Sequence, residues 1–131
     1  MKNRRAISLL ASEKGFTLVE LVVVLAVIGI MVAVAYPTYT NTRIRAYTAE
    51  AKAILQELRV DAWDYYLQKG SFNGFTIVGN HNTENWTFTA TVAQDYKSVT
   101  LTATGVADKI VKNKTVTLQV KDDGTAVLTE Q

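Results

Sequence analysis

The hydrophobic pattern changes character twice along the chain. From Leu21 to Tyr36 the sequence reads LVVVLAVIGIMVAVAY, sixteen residues without a charge or a strongly polar side chain. Extended back to Thr17 the run holds 20 residues, about 30 Å as a helix, which matches the hydrocarbon core of a bilayer. It is apolar on every face, so it is not the amphipathic helix of a soluble domain, and lipid or protein must surround it. After Pro37 the spacing becomes that of one helix face: Ile44, Tyr47, Ala51, Ile54, Leu58, Ala62 and Tyr65 recur at steps of three and four. Charged residues lie between them, and Gly70 after Lys69 reads as a helix stop with a cation in the last turn. Nothing between Pro37 and Ile44 looks like a linker. The pattern therefore predicts one helix from about Phe16 to Gln68, kinked near Pro37, which removes a backbone donor and crowds the preceding turn.

Residues 71–84 form a loop rich in Gly and Asn, with a short strand expected at Phe75–Val78. The period then becomes two. Trp86, Phe88, Ala90 and Val92 alternate with threonines, as do Val99, Leu101 and Ala103. Val116, Leu118 and Val120 form a third such set, and Ala126 and Leu128 flank Val127 in a fourth. These are half-buried strands. Asp123-Gly124 between the last two is a type I′ hairpin signal. The expected head is an antiparallel sheet of about four strands, its apolar face covering the stripe from Ile44 to Tyr65, and the fold class is α+β.

Charge sharpens this division. The chain of 131 residues has a net charge of +2 and a pI near 8.9. Residues 1–15 hold four Lys/Arg against one Asp/Glu, and the rest of the chain holds ten against eleven. The basic pI thus describes a short leader and lends no support to general nucleic-acid binding. Basic residues before the apolar run also place the N-terminus in the cytoplasm. There is no cysteine, which excludes disulfides, thiolate catalysis, zinc fingers and iron–sulfur clusters. The lone histidine, His81, sits among Asn80, Asn82 and Thr83 with no group to orient it as a ligand or catalyst. Walker, Rossmann, HExxH and GxSxG patterns are absent. No enzyme and no cofactor is expected.

The informative stretch is Lys14-Gly15-Phe16-Thr17-Leu18-Val19-Glu20 followed directly by the apolar run. A carboxylate at the start of a membrane segment is costly. By chemistry alone Glu20 lies in the headgroup region or stabilises the positive end of the helix. The order Gly-Phe-Thr before it is unexplained on that basis. The whole segment KGFTLVELVVVLAVIGIMVAVAYP resembles the class III signal of type IV prepilins and their pseudopilin relatives. The long helix before an antiparallel sheet is similar to the rest of that fold.

The resemblance implies a division into a cleaved basic leader at 1–15, a hydrophobic transmembrane and filament-core helix at 16–42, and a head at 43–131. The head comprises an amphipathic helix half at 43–68, a loop at 69–84 and the sheet at 85–131. It further implies that a prepilin peptidase cuts between Gly15 and Phe16 and N-methylates Phe16. Glu20, four residues on along the same helix, would pair with the Phe16 amino group of a neighbouring subunit. Gly29 and Pro37 match the family's helix-weakening positions. Implied partners are other pilin subunits, the peptidase, an assembly platform with its ATPase, and the inner membrane, which the chain crosses once before joining an extracellular pilus. Many relatives close a C-terminal loop with a disulfide, so a head without cysteine relies on sheet hydrogen bonds, a small core and filament contacts.

Other readings compete with a pilus subunit. A pseudopilin of a type II secretion system shares the first fifty residues, and its calcium site has one acidic counterpart here, Asp122-Asp123-Gly124, which a hairpin turn explains without metal. Ala33-Val34-Ala35 fits a secretory cleavage site that would release a small periplasmic protein. Lys109, Lys112 and Lys114 gather in one loop, a candidate nucleic-acid contact of the kind some minor pilins make. Asn85-Trp86-Thr87 and Asn113-Lys114-Thr115 match the N-glycosylation triplet, which strand threonines generate by chance.

Overall fold

The computed structural model describes residues 15–131; the leader up to Lys14 lies outside the described residues. The elements are a helix α1 (Leu18–Lys69) and strands β1 (Trp86–Val92), β2 (Ser98–Gly105), β3 (Thr115–Lys121) and β4 (Ala126–Glu130). They belong to two units, one ending at Thr38 and the other running from Tyr39 to Gln131.

The helix begins two residues later than the pattern predicts because Thr17 takes the capping position. It passes through Pro37 without ending. One turn on from Val34, the Thr38 hydroxyl donates to the Val34 carbonyl at 3.2 Å. Its stop is the predicted one. Gly70 adopts φ +71° and its N–H donates to the Tyr66 carbonyl at 2.7 Å, closing the last turn as a left-handed cap.

In the second unit the four strands form an antiparallel sheet in the order β1-β2-β3-β4, each paired with the next in sequence. The register pairs Phe88 with Ala103, Leu101 with Leu118, and Leu118 with Leu128. One face therefore carries the apolar residues in rows, and threonines such as Thr89, Thr102 and Thr117 line up on the other. The apolar face packs on Ala51, Leu55, Leu58 and Ala62 of α1. Trp86 is fully buried and its Nε1 donates to the Tyr47 carbonyl at 2.9 Å, tying β1 to the helix. Among the described residues every buried side-chain nitrogen or oxygen has a partner.

Three expectations need correction. Leu55, absent from the predicted stripe, is fully buried, and Ile44 is only half-buried. The sheet packs on the second half of the helix beyond Ile44, so the buried face is centred on 51, 55, 58 and 62. No strand forms at 75–78. Phe75 is buried edge-on against Tyr65 at 5.5 Å between ring centroids, and its N–H closes a turn onto the Phe72 carbonyl. The segment alternates like a strand but makes no ladder with the sheet.

The hairpin between β3 and β4 is not type I′. That turn needs positive φ at both central residues, and Asp122 and Asp123 have none; Gly124 alone is left-handed, at φ +80°. The Gly124 N–H donates to the Lys121 carbonyl and the Lys121 N–H to the Thr125 carbonyl, both at 3.0 Å. This is a type I turn followed by a glycine bulge. Asp123 Oδ1 accepts from the Thr125 hydroxyl and N–H, which hold its carboxyl below the usual carboxylate range.

A glycine also fixes the β2–β3 connection. A Cβ at Gly105 would fall onto the backbone carbonyl of Val111, which is itself buried in the core. The chain from 106 to 114 can therefore fold tightly over the end of β2 only because residue 105 has no side chain.

Candidate processing and assembly site

The N-terminal site is built from the start of α1. Gly15, Phe16 and Thr17 precede the helix, and Glu20 lies in its first turn. The Thr17 Oγ1 accepts from the Glu20 N–H at 3.2 Å, while Glu20 Oε2 accepts from the Thr17 N–H at 3.1 Å and from its hydroxyl at 3.0 Å. This is a reciprocal capping box, which satisfies helix donors that would otherwise be orphaned. The spacing Thr-x-x-Glu is its sequence signal, and hydrophobic periodicity, which begins after Thr17, does not report it. Phe16 consequently stands outside the helix rather than sharing a helix face with Glu20. The Glu20 carboxylate is directed back toward residue 17, one peptide from Phe16.

Beyond the cap, α1 is exposed on all sides through the apolar run: Leu18 is 78% exposed, Ile30 68% and Met31 67%. Its N-terminal part is long and apolar enough to cross a membrane. So continuous an apolar surface demands a cover of lipid or of other protein chains. Gly29 and Pro37 both lie within regular helix, and a Cβ at Gly29 would meet nothing within 4 Å, so no packing in this unit calls for a glycine there.

The lysine loop is brought together only in part. Lys109 Nζ donates to Glu84 Oε1 at 2.6 Å, a pair that holds Glu84 below and Lys109 above their ordinary values. Lys112 and Lys114 are exposed. Of the three lysines named as a candidate nucleic-acid contact, Lys109 is thus engaged by Glu84. His81 accepts or donates a bond with the Val78 carbonyl at 3.0 Å. Among the described residues no three His, Cys, Asp or Glu side chains gather as a metal site.

Comparison with known proteins bears on both units. The family model described as the prokaryotic N-terminal methylation motif matches residues 10–36. The chain is 34% identical over 112 residues to the type IV major pilin protein PilE1 of Neisseria gonorrhoeae, a match covering 86% of this chain and 46% of that protein. It is 40% identical over 62 residues to the fimbrial protein of Neisseria meningitidis serogroup B, and 36% identical over 63 residues to the type IV major pilin protein PilA of Myxococcus xanthus. These two matches cover 47% and 48% of this chain, and 36% and 29% of the relatives. The chain thus spans less than half the length of these relatives. No solved structure matches it significantly. With the methylation motif leading into α1 and the likeness continuing into the sheet, the chain is a type IV pilin-like protein of the prepilin kind.

Proposed function

We propose that this protein is a structural subunit of a type IV pilus and performs no catalysis of its own. One observation carries the reading: a methylation motif opens directly onto a helix whose apolar surface is exposed on every face. Such a helix is stable in two surroundings, a bilayer before assembly and a sheath of like helices afterwards. A prepilin peptidase cuts between Gly15 and Phe16 on the cytoplasmic side and N-methylates Phe16. The assembly platform and its ATPase then move the subunit from the inner membrane into an extracellular filament.

The cap geometry supports a role for Glu20. Cleavage creates an α-amino group at Phe16, one residue before the capping threonine, while the carboxylate is already turned toward that end of the helix. In a helix-packed core a carboxylate needs a cation, and the Phe16 amino group of a neighbouring subunit supplies one. Gly29 and Pro37 mark where the helix loosens as subunits pack, since each lowers the local cost of unwinding.

The test is the intact mass and N-terminal residue of the protein from its native cells, together with the yield of sheared fibres. The expected chain starts at N-methylated Phe16, and Glu20→Ala leaves it processed in the membrane but absent from fibres. A chain starting at Tyr36 would make this a secreted periplasmic protein and overturn the proposal.

A further inference from the structure

The second unit, Tyr39–Gln131, carries ten Lys/Arg and ten Asp/Glu. They are not evenly spread between its two ends. One end is defined by the first half of α1 in this unit together with 80–92, 99–120 and 126–131. Trp86 reaches Tyr47 there, and Lys52 pairs with Glu130. The other end holds the last turns of α1, the 93–98 turn and the 121–125 hairpin. Phe72 bonds Tyr96 there, and Gly124 lies against Trp63. Counting residues 56–79, 93–98 and 121–125 as this second end gives six acids to four bases; the first end has the reverse. Each end is therefore two charges from neutral, in opposite directions.

Local pairing leaves the difference unchanged and decides which side chains carry it. Both ion pairs among the described residues, Lys52–Glu130 and Lys109–Glu84, lie at the basic end. Arg43 is occupied between Tyr39 and Tyr47, 5.8 and 5.6 Å from their ring centroids. The cations left are Arg45, Lys112 and Lys114, all three exposed, against Glu50 and Asp108 as the acids outside an ion pair at this end. Arg45 and Lys114 line one open groove of about 330 Å³ between α1 and the start of β3. At the acidic end no acid is in an ion pair among the described residues. There Asp61 and Asp64 edge an open groove of about 490 Å³ whose floor is apolar, made by Leu58, Phe75 and Ile77, with Val78 82% exposed beside it.

We infer that the acidic groove of one copy receives the Arg45–Lys114 corner of a second copy, a head-to-tail contact that orders subunits along the filament. Charge complementarity names the occupant. The apolar floor accommodates the methylene stems of Arg and Lys while their heads meet Asp61 and Asp64. Within one copy the two patches cannot meet: Arg45 and Asp64 are nineteen residues apart on one helix, about 28 Å along its axis. A contact between unlike patches is heterologous: a pair of copies still has one acidic and one basic patch unused, so further copies can add along an open chain. The inference rests on the fibre reading and names the surface that reading leaves unassigned.

The chain contains no cysteine, which permits a direct test. Asp64→Cys and Lys114→Cys are introduced together, fibres are sheared from native cells after mild oxidation, and the products are separated without reductant. The expected result is a ladder of covalent multimers that collapses to monomer on reduction, while either cysteine alone gives nothing beyond a dimer. In parallel, the pair Asp61→Lys and Asp64→Lys should lower fibre yield about tenfold or more, and so should Arg45→Asp with Lys114→Asp. Combining the four reversals should restore it. Equal amounts of Phe16-processed subunit in the membrane show that each variant folds. Fibres without a ladder, or reversed charges with undiminished yield, would overturn this inference alone. An unaltered chain that forms no fibres would overturn the fibre reading with it.

Discussion

Leu55 lies at the centre of the contact between α1 and the sheet, with no solvent exposure, in one cluster with Leu101 and Leu118. Truncation to alanine removes three buried carbons and leaves a cavity that the flanking helix and sheet can only partly close. Such substitutions cost about 2–5 kcal/mol. A unit of roughly 90 residues has a total stability of about 5–14 kcal/mol, so this single change removes a large share of it. At about 4–8 °C per kcal/mol for a domain of this size, the midpoint should fall by about 8 °C at the least. The control is Leu67→Ala, twelve residues further along the same helix but 66% exposed. Its cost should stay within about 0.5 kcal/mol. Both variants lose the same side chain from the same helix, so helix propensity cancels and the difference reports burial. The assay is thermal unfolding of the full chain in detergent, followed by near-UV circular dichroism of Trp63 and Trp86. Equal shifts for the two variants would refute the placement of the sheet over residue 55.

Two further predictions concern the connections. Gly105→Ala places a methyl group on the Val111 carbonyl, and the overpacking should cost about 1–3 kcal/mol in the same assay, against a near-neutral change for Thr104→Ala on the exposed face. A neutral Gly105→Ala would show that the 106–114 segment does not press on β2. Glu84 is held below its ordinary range chiefly by the hydrogen bond from Lys109. A depressed folded value means that the carboxylate's contribution is present above its unfolded value of about 4.3 and is lost as pH falls through the folded one. Lys109→Ala should therefore raise the Glu84 midpoint toward that of a free glutamate in an NMR carboxyl titration; an unmoved midpoint would dissolve the pair.

Patterns that repeat over several residues were legible without the structure. The alternation in Trp86–Val92 and Val116–Lys121 assigned each side chain to its face, because a strand exposes its two faces at a period of two whatever it packs against. Gly70 was legible because its left-handed cap is a local demand. At the processing site, the order from Gly15 to Glu20 was readable as a motif, and the Thr17–Glu20 cap could have been read from its spacing. The misreadings share a cause. Phe75–Val78 alternates like a strand, but a strand needs a neighbour, and the neighbour is a tertiary fact. Asp123-Gly124 marks a turn, but Asp122 joins the loop, and the register of β3 on β4 selects its type.

The sequence by itself determined the apolar helix, its methylation motif, the four strands and their faces, since each follows from interactions within a few residues. Only the tertiary structure decided which helix turn lies under the sheet, that Lys109 is taken by Glu84 twenty-five residues away, and that the head's evenly matched charges separate into an acidic and a basic end. Those outcomes depend on how distant segments are brought together, and the Coulomb and packing terms that set them act through space and carry no signature along the chain.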